Sequence, residues 1–302
     1  MPLPRLSLPL ALALAATSAC TGSSADPSVG GEQLFQEGLA LYNQMSYGPA
    51  AAKFDQLLAD YPTSPRADNA GYLTGRCAYE LKDYQGAITK LVAMRTEYPV
   101  SVFVHSAAYF TGRSRFSLAD FATAAPDFRA AVAANPMGVF VDNAQYYVGR
   151  SLFEAGDLVG ARPELAKVES GYPMSSYLDN ARFYLGRAYL DAGDFANAIP
   201  PFQRVFLTAS SSYADNAQYF IGRAHYGLGG TNLDAALVDF ETLLSTYPTS
   251  QYLDNALSYE ARIFADKVDC VTARQKLTQL QTSYPASPEI VPTDTYLTGL
   301  GC

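Results

Sequence analysis

The feature that most constrains this chain is a set of markers that return along the sequence at a nearly constant interval. Gly-Arg pairs begin at Gly75, Gly112, Gly149, Gly186 and Gly222, with spacings of 37, 37, 37 and 36 residues. Tyr-Pro pairs keep the same phase, beginning at Tyr61, Tyr98, Tyr172, Tyr247 and Tyr284. Two independent markers with one period indicate an array of stacked units, in which each unit buries its apolar face against its neighbours.

Each unit has the pattern of two helices. The first begins near an Asp such as Asp142, which we predict to be its N-cap. Gly156 is predicted to take a left-handed conformation where this helix ends, and Asp157 to cap the second helix, which runs to the Tyr-Pro pair. Gly149 lies in the middle of the first helix at a cost of about 1 kcal/mol relative to Ala. We therefore expect the two helices to approach each other closely at this glycine. Gly38 and Ala261 continue the register, which predicts an all-α chain of about seven helical hairpins.

The spacing within a unit resembles the tetratricopeptide repeat. From Gly149, an Asp follows after eight residues, an Ala after twelve, a Leu after sixteen and a Pro after twenty-four. The period of 37 exceeds the usual 34 of that family, and the longer "YPxS" connector is similar to that of the periplasmic lipoprotein family BamD and of the YbgF family. The resemblance implies a right-handed superhelical solenoid over residues 32–288, with a concave groove that binds protein partners. Residues 289–302 are left as a C-terminal tail.

The first nineteen residues have the pattern of a secretory signal peptide. One basic residue, Arg5, precedes an apolar run and then small residues that end at Cys20. This end resembles the lipobox of bacterial lipoproteins, although Thr17 stands where that motif usually has Leu. The resemblance implies lipidation of Cys20, a flexible linker over residues 20–31, and a location at the periplasmic face of the outer membrane. Secretion without a lipid is the alternative.

Three further cysteines have different expected roles. Cys270 and Cys302 either form a disulfide in an oxidising compartment or are both reduced, and the sequence favours neither. Cys77 stands where other units have Ser or Ala, and is expected to be a small core residue.

A column of recurring residue types lies on one face of the first helices. Because successive helical residues are turned by about 100°, Asn143, Tyr146, Arg150 and Phe153 fall within an arc of roughly 80°. The other central units repeat the column as Asn69, Tyr72, Arg76, Tyr79; Ser106, Tyr109, Arg113, Phe116; Asn180, Phe183, Arg187, Leu190; and Asn216, Tyr219, Arg223, Tyr226. By the resemblance this column faces the concave groove. Either each Arg reaches an acid of the neighbouring unit while the rings fill space between helices, or the column receives a peptide, since interfaces are enriched in Arg and Tyr. Both roles are compatible.

Composition argues against several other functions. The net charge of −8 opposes binding to nucleic acid. The two histidines, His105 and His225, belong to different units, so no metal site is predicted. No phosphate-binding loop or nucleophile elbow occurs, and we expect neither an enzyme nor a cofactor. The preferred interpretation is a scaffold for envelope proteins or peptides. The alternatives are a YbgF-like coordinator of cell division and a glycan-binding scaffold of polysaccharide export.

Overall fold

The computed structural model describes residues 27–208 and 211–302, so the signal peptide and Cys20 lie outside the described residues. In these two ranges the chain forms fifteen α-helices and no strand. Their bounds are α1 Pro27–Asn43, α2 Tyr47–Asp60, α3 Ala67–Glu80, α4 Tyr84–Glu97, α5 Val104–Ser117, α6 Phe121–Ala134, α7 Val141–Glu154, α8 Leu158–Gly171, α9 Leu178–Leu190, α10 Phe195–Phe206, α11 Ala214–Leu228, α12 Asn232–Thr246, α13 Leu253–Asp266, α14 Cys270–Ser283 and α15 Ile290–Gly299.

The helices pack in chain order, which confirms the predicted solenoid. Each helix from α2 to α14 contacts the helix before and after it, so α1–α2 through α13–α14 form seven hairpins. First helices also touch the first helices of neighbouring units: α3 contacts α5, and α7 contacts α9. We call the odd-numbered helices up to α13 the first helices, the even-numbered ones the second helices, and the segment between two hairpins a connector.

Both predicted ends of the solenoid differ from the structure. Helix α1 begins at Pro27, inside the segment predicted to be a flexible linker. The predicted tail contains α15, which packs on α13 and α14 and buries Thr293 and Leu297. Cys302 is joined to Cys270 at the start of α14 by a disulfide. The C-terminal segment thus covers the last hairpin.

The turns inside the fourth and fifth hairpins are formed as predicted. Gly156 and Gly193 have φ angles of 84° and 75°, which a residue without Cβ adopts at little cost. Asp157 then caps α8, because its Oδ1 accepts a 2.8 Å hydrogen bond from the backbone N–H of Gly160, the usual arrangement at a helix N-cap.

The first helices begin differently from the prediction. Asp142 is not the N-cap of α7: the cap position is Phe140, and Asp142 lies in the first turn. A carboxylate there still interacts favourably with the positive end of the helix dipole. In two units this Asp also joins neighbouring hairpins, because Ser101 and Ser287 of the next connector donate 2.7 Å hydrogen bonds to Asp68 and Asp254.

The mid-helix glycines mark the closest approach of the two helices in a hairpin, as predicted. A Cβ on Gly149 would lie 2.6 Å from Leu165 Cγ, far inside normal contact distance. Gly186 and Gly222 have the same relation to the rings of Phe202 and Phe240, at 2.7 Å. These second-helix side chains are among the most buried in the protein.

Candidate functional site

The arginines of the column lie between successive first helices. The guanidinium Cζ of Arg76 lies 3.7 Å from the ring centre of Phe110, and that of Arg150 lies 3.5 Å from the ring of Tyr184. The corresponding distances are 4.7 Å from Arg113 to Tyr147 and 4.6 Å from Arg187 to Phe220. Each of these four arginines thus stacks on a ring of the next unit, an attraction that is stronger when partly desolvated.

The acidic partners of these arginines come from their own helices. Arg150 Nε donates a 2.7 Å hydrogen bond to Glu154, and Arg187 Nη2 a 3.1 Å bond to Asp191. Arg76 pairs with Glu80 in the same way. The expectation that the arginine reaches an acid of the neighbouring unit is therefore wrong for these three. The next turn of the same helix offers a carboxylate four residues on, at a favourable distance.

Two arginines of the column have no such carboxylate. The residue four positions after Arg113 is Ser117, and after Arg223 it is Gly227. Arg113 Nη1 instead donates a 2.9 Å hydrogen bond to the hydroxyl of Tyr109. Arg113 and Arg223 therefore present the least neutralised positive charges of the column.

The inner aromatic row, which we define as Tyr72, Tyr109, Tyr146, Phe183 and Tyr219, packs between units. The last four of these side chains are only 2% to 5% exposed. Tyr109 stacks on Phe140 of the next connector with ring centres 4.8 Å apart, and Tyr219 stacks on Tyr252 at 4.2 Å. Burial raises the pKa of Tyr72 to about 12 and raises that of Tyr146 as well, so both phenols are neutral at physiological pH. The four buried rings are not accessible to a partner, and their role is to join hairpins.

The outer aromatic row, Tyr79, Phe116, Phe153 and Tyr226, is half-buried. Its rings meet a ring of the next unit edge to face, as Tyr79 does with Phe110 at 5.2 Å and Phe153 with Tyr184 at 5.3 Å. Their remaining exposed surface lies one turn beyond the arginines. This row can therefore contribute to both stacking and contact with a partner.

The asparagines of the column are also half-buried, at Asn69, Asn143, Asn180 and Asn216. Asn180 Nδ2 donates a 3.0 Å hydrogen bond to Tyr213 in the next connector. Asn255 in the seventh unit makes the equivalent contact to Glu289, also at 3.0 Å. At least in these units the Asn contributes to the junction between hairpins.

Sequence reasoning missed the rings on which the arginines stack. Phe110, Tyr147, Tyr184 and Phe220 each follow directly after a member of the inner aromatic row. The signal was the recurring aromatic doublet itself, in which adjacent helical positions point about 100° apart. One ring of the doublet packs against the connector and the other receives the arginine of the preceding unit.

The accessible chemistry of the first-helix face is thus half-buried guanidinium groups, carboxylates and aromatic rings. In the described ranges, no group of three or more His, Cys, Asp or Glu side chains could hold a metal ion. None of the helices in those ranges is long and apolar enough to cross a bilayer. Such a face is suited to polar and charge-assisted contacts with a protein segment.

One protein family matches the chain over most of its length. The model of this family, described as YfiO, outer membrane lipoprotein, matches residues 28–135 and 139–264. No curated protein matches the sequence.

Solved structures of repeat proteins share the fold at low sequence identity. The C-terminal part of a TPR repeat-containing protein from Cytophaga hutchinsonii superposes with a TM-score of 0.66 at 17% identity, covering 86% of this chain and 98% of that one. A tetratricopeptide repeat protein from Parabacteroides merdae gives 0.55 at 11% identity, covering 89% and 99%. The pilF protein of Pseudomonas aeruginosa gives 0.53 at 16% identity, covering 76% and 97%. These likenesses establish the tetratricopeptide-type fold.

Proposed function

This chain belongs to the YfiO family of outer membrane lipoproteins, and from that membership we propose that it is a lipid-anchored periplasmic scaffold for envelope assembly. The family match over nearly the whole described solenoid carries the proposal. A tetratricopeptide-type solenoid is a protein-interaction scaffold, with an extended surface on which partners bind. The family and fold point to a non-enzymatic role.

The N-terminal sequence supports a location in the cell envelope. The apolar run and the small residues before Cys20 fit a lipoprotein signal. Thr21 follows Cys20, and this favours the periplasmic face of the outer membrane over retention at the inner one. A YbgF-like role is less well supported, because the chain has no obvious N-terminal heptad repeat.

We place the partner on the first-helix face, around Arg113 and Arg223. Neither arginine has a carboxylate in the next turn of its own helix. An acidic side chain of a partner could therefore form a charge-assisted hydrogen bond with each guanidinium group. The half-buried rings of Phe116 and Tyr226, three residues further on, supply apolar contact beside each charge. The partner chemistry that fits is a protein segment with acidic and apolar side chains.

The glycan-binding alternative loses its main support. Sugar recognition would require open aromatic faces, and the inner aromatic row is buried in stacks between units. The outer aromatic row is half-buried and packs against rings of the next unit, which leaves little free ring surface.

The proposal predicts the effect of removing these two charges. We expect Arg113→Gln combined with Arg223→Gln to reduce capture of envelope proteins by the full lipoprotein at least about tenfold, since lost charge-assisted bonds are worth about 1.5–3 kcal/mol each. Capture is measured by crosslinking in cells, followed by affinity purification and quantitative mass spectrometry.

A matched control removes two arginines from the second helices. Arg129 and Arg204 lie on α6 and α10, where they pair with Glu164 and Glu169. Arg129→Gln with Arg204→Gln makes the same change in net charge and should leave capture intact. Equal loss in both double variants, or capture of no envelope protein by the parent, would contradict the proposed function. Thermal unfolding of each variant excludes loss of the fold as the cause.

A further inference from the structure

The central connectors expose apolar side chains to solvent. Val100, Val102, Met137, Val139 and Met174 are 74% to 96% exposed and belong to three consecutive connectors. Each of Val100, Met137 and Met174 directly follows the Pro that ends a second helix. Large side chains left this exposed in successive units form a recurring feature of one edge, which we call the connector edge.

Successive connectors are neighbours in space. Ser64 and Pro65 of the first connector line one surface hollow together with Pro99 and Val100 of the second. The second and third connectors share the next hollow, which residues 99–102 border from one side and Asn135 from the other. The exposed apolar residues therefore follow one another along the same edge.

Charge distinguishes this edge from the opposite one. The connectors at 98–103, 135–140 and 172–177 contain no charged residue. At the opposite edge, where the hairpin turns lie, exposed carboxylates such as Asp83, Asp120 and Asp157 lie at the starts of the second helices. We call this the acidic edge. Exposed apolar residues such as Leu118, Val159 and Val268 recur there too, but beside these charges.

The chain enters the solenoid at the connector edge. Helix α1 begins at Pro27, and Glu32 in its second turn accepts a 2.7 Å hydrogen bond from Arg66, next to the first connector. Pro27 is the seventh residue after Cys20. Fully extended, this segment reaches about 25 Å at most. A lipid on Cys20 would therefore keep the start of the connector edge within about 25 Å of the bilayer, on the side where the chain enters the solenoid.

We propose that the connector edge rests on the membrane to which the protein is anchored, with Val100, Met137, Met174 and their neighbours inserted at the lipid–water interface. This inference rests on the lipid anchor of the proposed function. Because the three central connectors carry no basic residue, the contact suits a zwitterionic surface and does not require anionic lipid. Carboxylates of Glu97 and Asp142, at the adjoining helix ends, limit insertion to the loop tips.

The absence of Trp from the chain permits a direct test. The lipidated full-length variant Met137→Trp is reconstituted into phosphatidylcholine vesicles containing lipids with brominated acyl chains. We expect a blue-shifted emission and quenching by brominated lipid of at least about twofold, because the indole would lie at the apolar boundary of the bilayer.

Val159→Trp is the matched control, since it replaces an exposed apolar residue on the acidic edge. Its emission should be unaffected by brominated lipid. Absence of quenching at both positions, or equal quenching at both, overturns the membrane contact. A blue shift of Met137→Trp that depends on protein concentration without vesicles would instead indicate a second copy of the chain on this edge.

The same sample separates the two proposals. Mass spectrometry of the N-terminal peptide shows whether Cys20 is acylated. Acylation with no difference between the two Trp positions refutes only the membrane-contacting edge. If the chain carries no acyl group, the lipid anchor is refuted. Both this inference and the proposed location at the outer membrane are then refuted with it.

Discussion

A glycine in the middle of six of the seven first helices allows the two helices of a hairpin to pack closely. A side chain on Gly149 would collide with both Leu165 Cγ and the backbone nitrogen of Leu165, at 2.6 and 2.9 Å. Because the second contact is with backbone, a rotamer change cannot relieve it. In the seventh unit Ala261 takes this place and is fully buried, so the array tolerates one methyl group where the facing helix accommodates it.

Gly149→Leu is therefore expected to destabilise the protein by about 1–3 kcal/mol or more through overpacking. Urea unfolding followed by circular dichroism measures the loss. Gly171→Ala is the control, because nothing lies within 4 Å of a Cβ at the end of α8, and it should be neutral. Unfolding of Gly149→Leu at the parent midpoint would refute the close contact.

A buried carboxylate in the last hairpin has an unfavourable position. Glu260 on α13 is fully buried, and its main compensation is Lys276 Nζ at 2.8 Å. Burial raises the pKa of Glu260 above its ordinary value of 4.5, and this effect outweighs the lowering by Lys276. An acid whose pKa is raised in the folded state stabilises that state more when it is protonated than when it is ionised. Its contribution to stability therefore falls as pH rises from about 4.5 through the folded-state pKa.

Glu260→Gln should remove this dependence. We expect the stability of the variant relative to the parent to increase as pH is raised through the window above about 4.5. Urea unfolding at a series of pH values measures the difference, in which the contributions of all other carboxylates cancel to first order. A difference that is constant with pH, or that changes in the opposite direction, would contradict the raised pKa.

At the scale of elements, the C-terminal helix α15 is attached to the last hairpin by several contacts. Thr293 Oγ1 lies 2.6 Å from Ser258 Oγ, and Arg274 Nε donates a 2.9 Å hydrogen bond to the carbonyl of Cys302. The Cys270–Cys302 disulfide closes a segment of 32 residues that contains α14 and α15.

We expect Cys302→Ser to lower the free energy of unfolding by about 3–4 kcal/mol in the chain-entropy account of crosslinks. The loss should concern the last hairpin and α15 first, and hydrogen exchange of α14 and α15 locates it. A reductant should lower the stability of the parent to that of the variant. Cys77→Ala is the control, since this free thiol is buried elsewhere and the variant should still respond to reductant. Insensitivity of the parent to reductant would refute the role of the disulfide.

Across the molecule from the second hairpin onward, hairpins are joined by more ring contacts than ion pairs. Tyr147 packs against Phe116 and Phe128 of the preceding unit, both at 5.2 Å, and against Tyr177 of the next connector at 5.8 Å. It also receives Arg113 at 4.7 Å. In a linear array each unit contacts only its neighbours, so such junctions transmit cooperativity along the chain.

Tyr147→Ala should therefore weaken the coupling between the N-terminal and C-terminal parts of the solenoid. We expect a loss of at least about 2 kcal/mol, consistent with truncation of a packed aromatic residue, and a broader or split thermal transition by differential scanning calorimetry. Tyr172→Ala is the control, because this connector tyrosine has no ring partner in the described residues, and its transition should stay single. A sharp, single transition in Tyr147→Ala would refute the coupling.

The sequence alone determined the repeat, the two helices of each unit, the hairpin turn and the close contact at Gly149. These features depend on neighbours along the chain or on a constant offset, so a periodic pattern contains them. The tertiary structure decided the rest. The partner of each column residue depends on the rotation between successive hairpins, which no local pattern specifies. That rotation buries Tyr109 and Tyr146 against the connectors, stacks Arg150 on Tyr184, and leaves the arginine row and the outer rings only half covered. The helical start at Pro27 and the folded C-terminal segment were missed for a similar reason, because packing against an adjacent hairpin stabilises them and neither residues 27–31 nor residues 289–302 carry a repeat marker.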